Sequence, residues 1–219
     1  MEGDDYMSDK EKLTELTSVE FLDKLASDSP VPGGGGGAAL AGALAAALGA
    51  MVGNLTIGKE KFAASEAEII QLLAQLEECR GKCLRLVEED AKVFAAFMDC
   101  YKLPKATDED KLARSQAISN AAKQAAAVPL EIGRVSLAVL RIAARLVVIG
   151  NPNVITDGAV SSLLARAALR SAAYNVRINL PLAKDAAYSE AVACELAAMD
   201  REALALENEA LQKADAAIG

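Results

Sequence analysis

Apolar residues recur at three- and four-residue steps along most of the chain, and strict alternation is nowhere sustained. The pattern predicts helices and no strand. The clearest run is Ala64 to about Asp99, where Leu73, Leu76, Cys83, Val87, Phe94 and Phe97 fall on one stripe. A second long helix is expected from about Asp108 to Ile149, with Thr107 as its N-cap and a kink or break near Pro129. Thr156 is placed to cap a helix that Pro181 stops near Leu180, and a last helix should span about Asp185 to Ala214. Nearer the N-terminus, Thr17-Ser18-Val19-Glu20 has the form of a capping box and opens a short helix to about Ala26. Residues 1–16 read as a flexible tail. Long helices joined by short connections pack as an antiparallel bundle, so the expected fold is all-α, with one domain over residues 17–219.

Pro30 to Lys61 departs from this pattern. Ser29 to Gly37 reads as a loop, because two prolines lead into five glycines. Ala38 to about Ile57 then reads as an Ala-rich helix whose Gly42, Gly49 and Gly53 let a partner helix come close. No charge occurs between Asp28 and Lys59, and the length suits a bilayer span. Ala and Gly contribute little transfer energy, however, and Asn54 and Thr56 are polar, so a buried bundle helix is expected and no membrane contact. Gly53 to Lys59 fits the first seven positions of a phosphate loop, but Glu60 stands where Ser or Thr would hold magnesium, and no strand precedes it. Two readings of the glycine run stay open. It is either a linker or a binding loop in which Pro32, Gly33, Gly34 and Gly35 present backbone amides to a flat heterocycle or an anion, aided by the positive end of the next helix.

Composition narrows the classes. The 219 residues suffice for one full core, 53% are hydrophobic and 4% aromatic, which suits close-packed helices. A net charge of -8 argues against a nucleic-acid partner and leaves room for a local basic pocket. The polar, acidic N-terminus is unlike a signal peptide, so a cytoplasmic location with four reduced cysteines is expected. Cys79 and Cys83 share a helix face, but a zinc site needs about four ligands. With no histidine in the chain, no metal is expected. The same absence removes histidine triads and leaves acid–base work to Asp, Glu, Lys, Tyr, Cys or the substrate.

Asp90 lies on the apolar stripe between Val87 and Phe94, whereas Glu88 and Glu89 lie off it and read as solvated. A carboxylate in that position is costly to bury unless it is paired or has a task, and both alternatives stand. Asp157 either complements a helix dipole or serves a site. Asn175, Arg177 and Asn179 interrupt an apolar helix and either line a pocket or satisfy the helix end near Pro181. Lys59 and Lys61 follow a helix C-terminus, where cations are favoured in any case, and are the first cations after the glycine run in sequence.

Taken in order, Ser29-Pro-Val-Pro-Gly-Gly-Gly, Met51-Val52-Gly53 with Thr56 and Gly58-Lys59, and Glu89-Asp90-Ala91 with Phe94 resemble one known family. Leu103-Pro104-Lys105, Val128-Pro129-Leu130, Asn153 with Thr156-Asp157, and Asn175-Val176 with Ile178-Asn179-Leu180 extend the match over nearly all of residues 18–200. The chain is identified as resembling the formiminotransferase-cyclodeaminase C-terminal domain family, which includes stand-alone bacterial cyclohydrolases. The resemblance implies an all-helical homodimer, a tetrahydrofolate derivative as substrate with no further cofactor, and a folate site partly shared between subunits. It also implies that Asp90 holds the catalytic position, with Lys59 or Lys61 assisting or binding the glutamate tail. The glycine run, Asp157, Asn175, Arg177 and Asn179 would complete the pocket. One departure is that Gly36 and Gly37 stand where the family has Ser after the third glycine. Three functions follow as alternatives: cyclohydrolase, towards which the missing formiminotransferase partner and the Asn54-to-Lys59 run tilt the reading; cyclodeaminase; or a non-catalytic folate-binding scaffold.

Overall fold

The computed structural model describes residues 12–219. Six α-helices occur among them: α1 (Ser18–Ala26), α2 (Gly34–Asn54), α3 (Ala63–Cys100), α4 (Asp108–Ile149), α5 (Ile155–Asn179) and α6 (Ala186–Ile218). There is no strand among the described residues. The expected caps on α1 and α4 form as reciprocal boxes, Thr17 with Glu20 and Thr107 with Asp110. Asp185 caps α6 by accepting the Tyr188 N–H at 3.0 Å.

Four expectations need correction. The first concerns the tail: residues 1–11 lie outside the described residues, but Leu13–Glu15 form a 3-10 turn with Leu13 buried. Glu88, expected to be solvated, holds that turn by accepting from the Thr14 N–H and hydroxyl at 2.8 and 2.9 Å. Second, Gly34 to Gly37 form the first turn of α2 rather than a loop, and α2 stops at Asn54. Third, α4 runs unbroken through Pro129. The ring removes the N–H that would bond the Ala125 carbonyl, and Asn179 Nδ2 supplies a donor to that oxygen at 3.1 Å. Fourth, Thr156 is inside α5 and caps nothing; the preceding turn is capped by Asn151, whose side chain accepts from the Asn153 N–H.

Contacts between helices fix their directions. Gly34 lies against Asn175, Gly42 against Ala168 and Gly49 against Ser161, so α2 and α5 are antiparallel. Gly35 lies beside Asp90 and Gly53 beside Leu73, so α2 and α3 are antiparallel too. Arg134 pairs with Glu195 and Arg141 with Glu202, which sets α6 parallel to α4. The result is an up-and-down bundle in which α2, α4 and α6 run one way and α3 and α5 the other. Ile69, Leu76, Leu140, Leu146 and Leu169 fill the centre with essentially no exposure. Truncating one of them to Ala costs about 2–5 kcal/mol.

Helix α2 is long and apolar enough to cross a bilayer, with a mean hydropathy of 1.7, but more than half of it is buried among its neighbours. Its small residues allow that approach: a Cβ on Gly42 would sit 3.0 Å from Cys83 Sγ. Burial pushes the Cys83 thiol up to about 12, so it packs as a neutral thiol.

Candidate functional site

The first turn of α2 has an N-cap, Gly33, with no side chain to bond the orphan amides of the helix start. Asp90 reaches across from α3 and supplies the acceptor, taking the Gly36 N–H. The glycines follow from this approach. A Cβ on Gly35 would fall 2.2 Å from Asp90 Oδ1, a distance no side chain survives. A Cβ on Gly34 would lie 3.4 Å from the Asn175 amide. Each glycine costs a helix roughly 1 kcal/mol relative to alanine; here it admits a carboxylate against the backbone.

Two opposed effects act on Asp90. Burial pushes its carboxyl above the usual aspartate value, and the Gly36 N–H draws it back less strongly. No lysine or arginine is ion-paired with it among the described residues. Its expected alternative, a structural pair with an arginine, is therefore not what the fold builds. A half-buried acid without a counter-cation holds its proton to higher pH than an exposed aspartate does.

Beside Asp90 opens a cavity of about 280 Å³. Its floor is the Gly33–Gly35 backbone, Phe94 and Phe97 wall it from α3, Val128 and Pro129 from α4, and Asn175 and Asn179 from α5. The volume is at the low end for ligand sites and suits a fused ring rather than a whole folate. Two of its lining residues, Phe94 and Ile178, are 37% and 71% exposed. Asn175 donates to the Ser171 carbonyl and Asn179 to the carbonyls of Ala125 and Asn175.

The remaining candidates fall elsewhere. Pro32 is buried under the glycine turn, its Cβ 3.4 Å from where a side chain on Gly36 would begin, and it does not line the cavity. Arg177 is exposed, stacks its guanidinium near the Tyr174 ring and lies outside the cavity wall. Lys59 donates to the Leu55 carbonyl at 2.6 Å, and Lys61 lies over the Phe62 ring. Both follow the C-terminal end of α2, about 30 Å from the glycines by helical rise. Asp157, in the first turn of α5, shares that far end. Thr56 ties the end together: fully buried, it donates to the Val52 carbonyl and accepts the Asn151 N–H. One chain therefore brings together Gly33, Gly34, Gly35, Asp90, Asn175 and Asn179, and leaves Lys59, Lys61 and Asp157 at the other end.

Residue patterns alone did not single out Val128 and Pro129 as cavity wall. The available signal was a proline in the middle of a strongly helical run, which calls for a donor from a neighbouring helix. Arg166 was also missed. It is 5% exposed, with Nη1 2.8 Å from Asp200 and Nε 3.6 Å from Glu207, and it pins α6 to α5.

The sequence profile described as Formiminotransferase-cyclodeaminase matches residues 17–198. The chain belongs to the formiminotransferase-cyclodeaminase family. Within this family it is 46% identical over 190 residues to a methenyltetrahydrofolate cyclohydrolase of Methylorubrum extorquens, an overlap of 87% of this chain and 91% of that protein. It is 32% identical over 183 residues to the formimidoyltransferase-cyclodeaminase of Sus scrofa, covering 84% of this chain but only 34% of that longer protein. The crystal structure of a formiminotetrahydrofolate cyclodeaminase from Thermotoga maritima superposes with a TM-score of 0.85 at 27% identity, over 94% of this chain and 98% of that one. The all-α, single-domain architecture is thus the family's.

Proposed function

We propose that this formiminotransferase-cyclodeaminase family member is a methenyltetrahydrofolate cyclohydrolase, converting 5,10-methenyltetrahydrofolate and water to 10-formyltetrahydrofolate. The observation that carries the chemistry is the Asp90 carboxyl, half-buried, with no ion pair among the described residues and facing a ring-sized cavity. The choice of reaction rests on the 46% identity to a protein of that activity along nearly its whole length.

In this reading the pterin enters the cavity over the glycine turn. Water adds to the methenyl carbon, and the Asp90 carboxylate takes one of its protons, giving a tetrahedral carbon between N5 and N10. Asp90 then returns the proton to N5 as the N5–C bond breaks, and the carbon stays on N10 as a formyl group. The second proton of the water leaves to solvent. The phenyl walls Phe94 and Phe97 keep the acid poorly solvated, which sustains its raised value.

The working unit is a cytosolic homodimer. Support comes from the outward face of α2 and α5, where Leu44, Met51, Leu55, Val160, Leu163 and Ile178 are exposed and α2 carries no charge. A two-fold axis through that face crosses two copies of α2 in opposite directions, setting the glycine end of one chain beside the Lys59 and Asp157 end of the other. A folate whose ring lies at Asp90 then extends its acidic tail towards the lysines of the second copy.

The structural likeness to a cyclodeaminase favours one alternative, attack of N10 on the formimino carbon of 5-formiminotetrahydrofolate with loss of ammonia. Loss of methenyl absorbance and release of ammonia, measured on the two substrates side by side, separate the readings. Methenyl loss no faster than the spontaneous rate rejects the cyclohydrolase, and failure on both substrates leaves the non-catalytic scaffold.

A further inference from the structure

Three features outside the reaction scheme invite a role. The groove of about 270 Å³ between α3 and α4 holds Lys82, Glu131 and Arg134, but these charges already satisfy one another and Glu195. Buried Arg166 is neutralised by Asp200 and Glu207 and lines neither that groove nor the cavity beside Asp90. The third feature is the junction of Pro129 with Asn179, where a backbone irregularity in one helix is matched by a side chain in another, at the wall of the cavity.

Pro129 leaves the Ala125 carbonyl without its helical donor inside an otherwise regular α4. Asn179 Nδ2 fills the gap at 3.1 Å and gives its second hydrogen to the Asn175 carbonyl at 2.8 Å. A carboxamide has two hydrogens on nitrogen, and both are now committed. The only hydrogen-bonding capacity left on the side chain is that of Oδ1, an acceptor, on a residue that lines the cavity. An ordinary asparagine rotates its amide to offer either a donor or an acceptor; this one cannot turn without leaving the half-buried Ala125 carbonyl unbonded within the protein.

We infer that Asn179, locked by the carbonyl that Pro129 frees, is a specificity-determining residue whose Oδ1 accepts a hydrogen bond from a ring N–H or amino group of the ligand. This rests on the folate reading, in which the 2-amino and N3–H edge of the pterin is the donor. The lock selects a ligand with a donor edge against one that presents only acceptors at the same place.

The test is a pair of substitutions made singly and together, Asn179→Ala and Pro129→Ala, in the full chain. Pro129→Ala restores a helical N–H to Ala125, so it should hold or raise the melting temperature. Asn179→Ala alone should lower the melting temperature and raise KM for 5,10-methenyltetrahydrofolate by about fivefold, the value of one hydrogen bond, with kcat within about twofold. With alanine at 129, the loss at 179 should cost clearly less melting temperature, because the carbonyl is already satisfied, while the KM increase persists. Asn179→Asp in that background keeps an acceptor and should recover most of the affinity. Strictly additive melting shifts overturn the lock; a KM effect that disappears in the Pro129→Ala background overturns the ligand contact. Titration with 5-formyltetrahydrofolate separates the two levels of the reading. Binding without turnover rejects the reaction but leaves this inference to be decided by the same affinities, whereas no binding at all by the unmodified chain overturns the ligand contact along with the folate site.

Discussion

The two ends of the α2–α5 pair are built from the same helices yet stabilised in opposite ways. At one end, the start of α2 is bare glycine backbone, and its orphan amide is met by a carboxyl that burial makes reluctant to ionise. At the other end, every group with a local partner uses it: Thr56 is buried with both hydroxyl roles filled, Asn151 bridges to the Leu55 carbonyl, and Lys59 covers the same oxygen. The satisfied end is a joint. The costly end, where an acid has no ion pair among the described residues, is the one the proposed chemistry uses. Within one chain, the locally satisfied joint and the poorly solvated acid are thereby separated by the length of one helix.

The sharpest way to break this contrast is Asp90→Asn, which should reduce turnover at least ~100-fold while leaving the fold intact. Near-normal turnover would end the assignment. The same substitution should stabilise the protein. Burial raises Asp90 in the folded state above its ordinary value of 3.8. The ionised form therefore costs stability at neutral pH, and that cost fades as pH falls through the folded-state value towards the unfolded one. Melting curves should place the Asp90→Asn variant above wild type at pH 7, with the gap closing below about pH 4.

Gly35→Ala comes next. Its Cβ would overlap the carboxyl of Asp90, so activity should fall roughly 10–100-fold through displacement of the acid, the range of a lost acid–base contribution. Kinetics on this variant matching wild type would show that the approach is not needed. A third prediction concerns the joint end. If the proposed dimer completes the site, Leu163→Glu should leave a folded monomer by light scattering and lower activity, because the opposite end of a second copy is then missing. In a 1:1 mixture of Asp90→Asn and Lys59→Ala chains, two-fold pairing should return about a quarter of the sites to the unmodified KM; a mixture in which every active site keeps the raised KM would place Lys59 outside the site. Lys59→Ala by itself should raise KM by about fivefold with little change in kcat, as expected for one partly solvated charge contact. Smallest of all, Gly37→Ala has only Leu25, 4.0 Å away, to meet, so it should raise stability by about 0.5–1 kcal/mol and leave turnover unchanged.

Much of the helical frame was legible in the chain because its signals are local. Capping boxes at Thr17 and Thr107 need only four residues, and the stripe from Leu73 to Phe97 needs only a 3.6-residue period. Asp90 stood out for the same reason, as a charge in an apolar row. Boundaries failed where a distant partner overrode local preference. Glycines and an interior proline are poor helix formers, so a loop over residues 29–37 and a break at Pro129 were the local expectation. Asp90 supplies the cap that α2 lacks, and Asn179 supplies the donor that α4 lacks, from helices dozens of residues away.

Sequence alone thus determined that this protein is an α-helical bundle with one anomalous carboxylate and one anomalous glycine run, because periodicity and charge placement are properties of neighbours in the chain. That the anomalies are one feature was decided only by the tertiary structure. Backbone without Cβ atoms and a desolvated acid each carry a cost in isolation, and the packing of α3 against the start of α2 joins them in a single site. The same packing order places Lys59 and Asp157 a full helix length from Asp90, a separation that no spacing along the chain reveals.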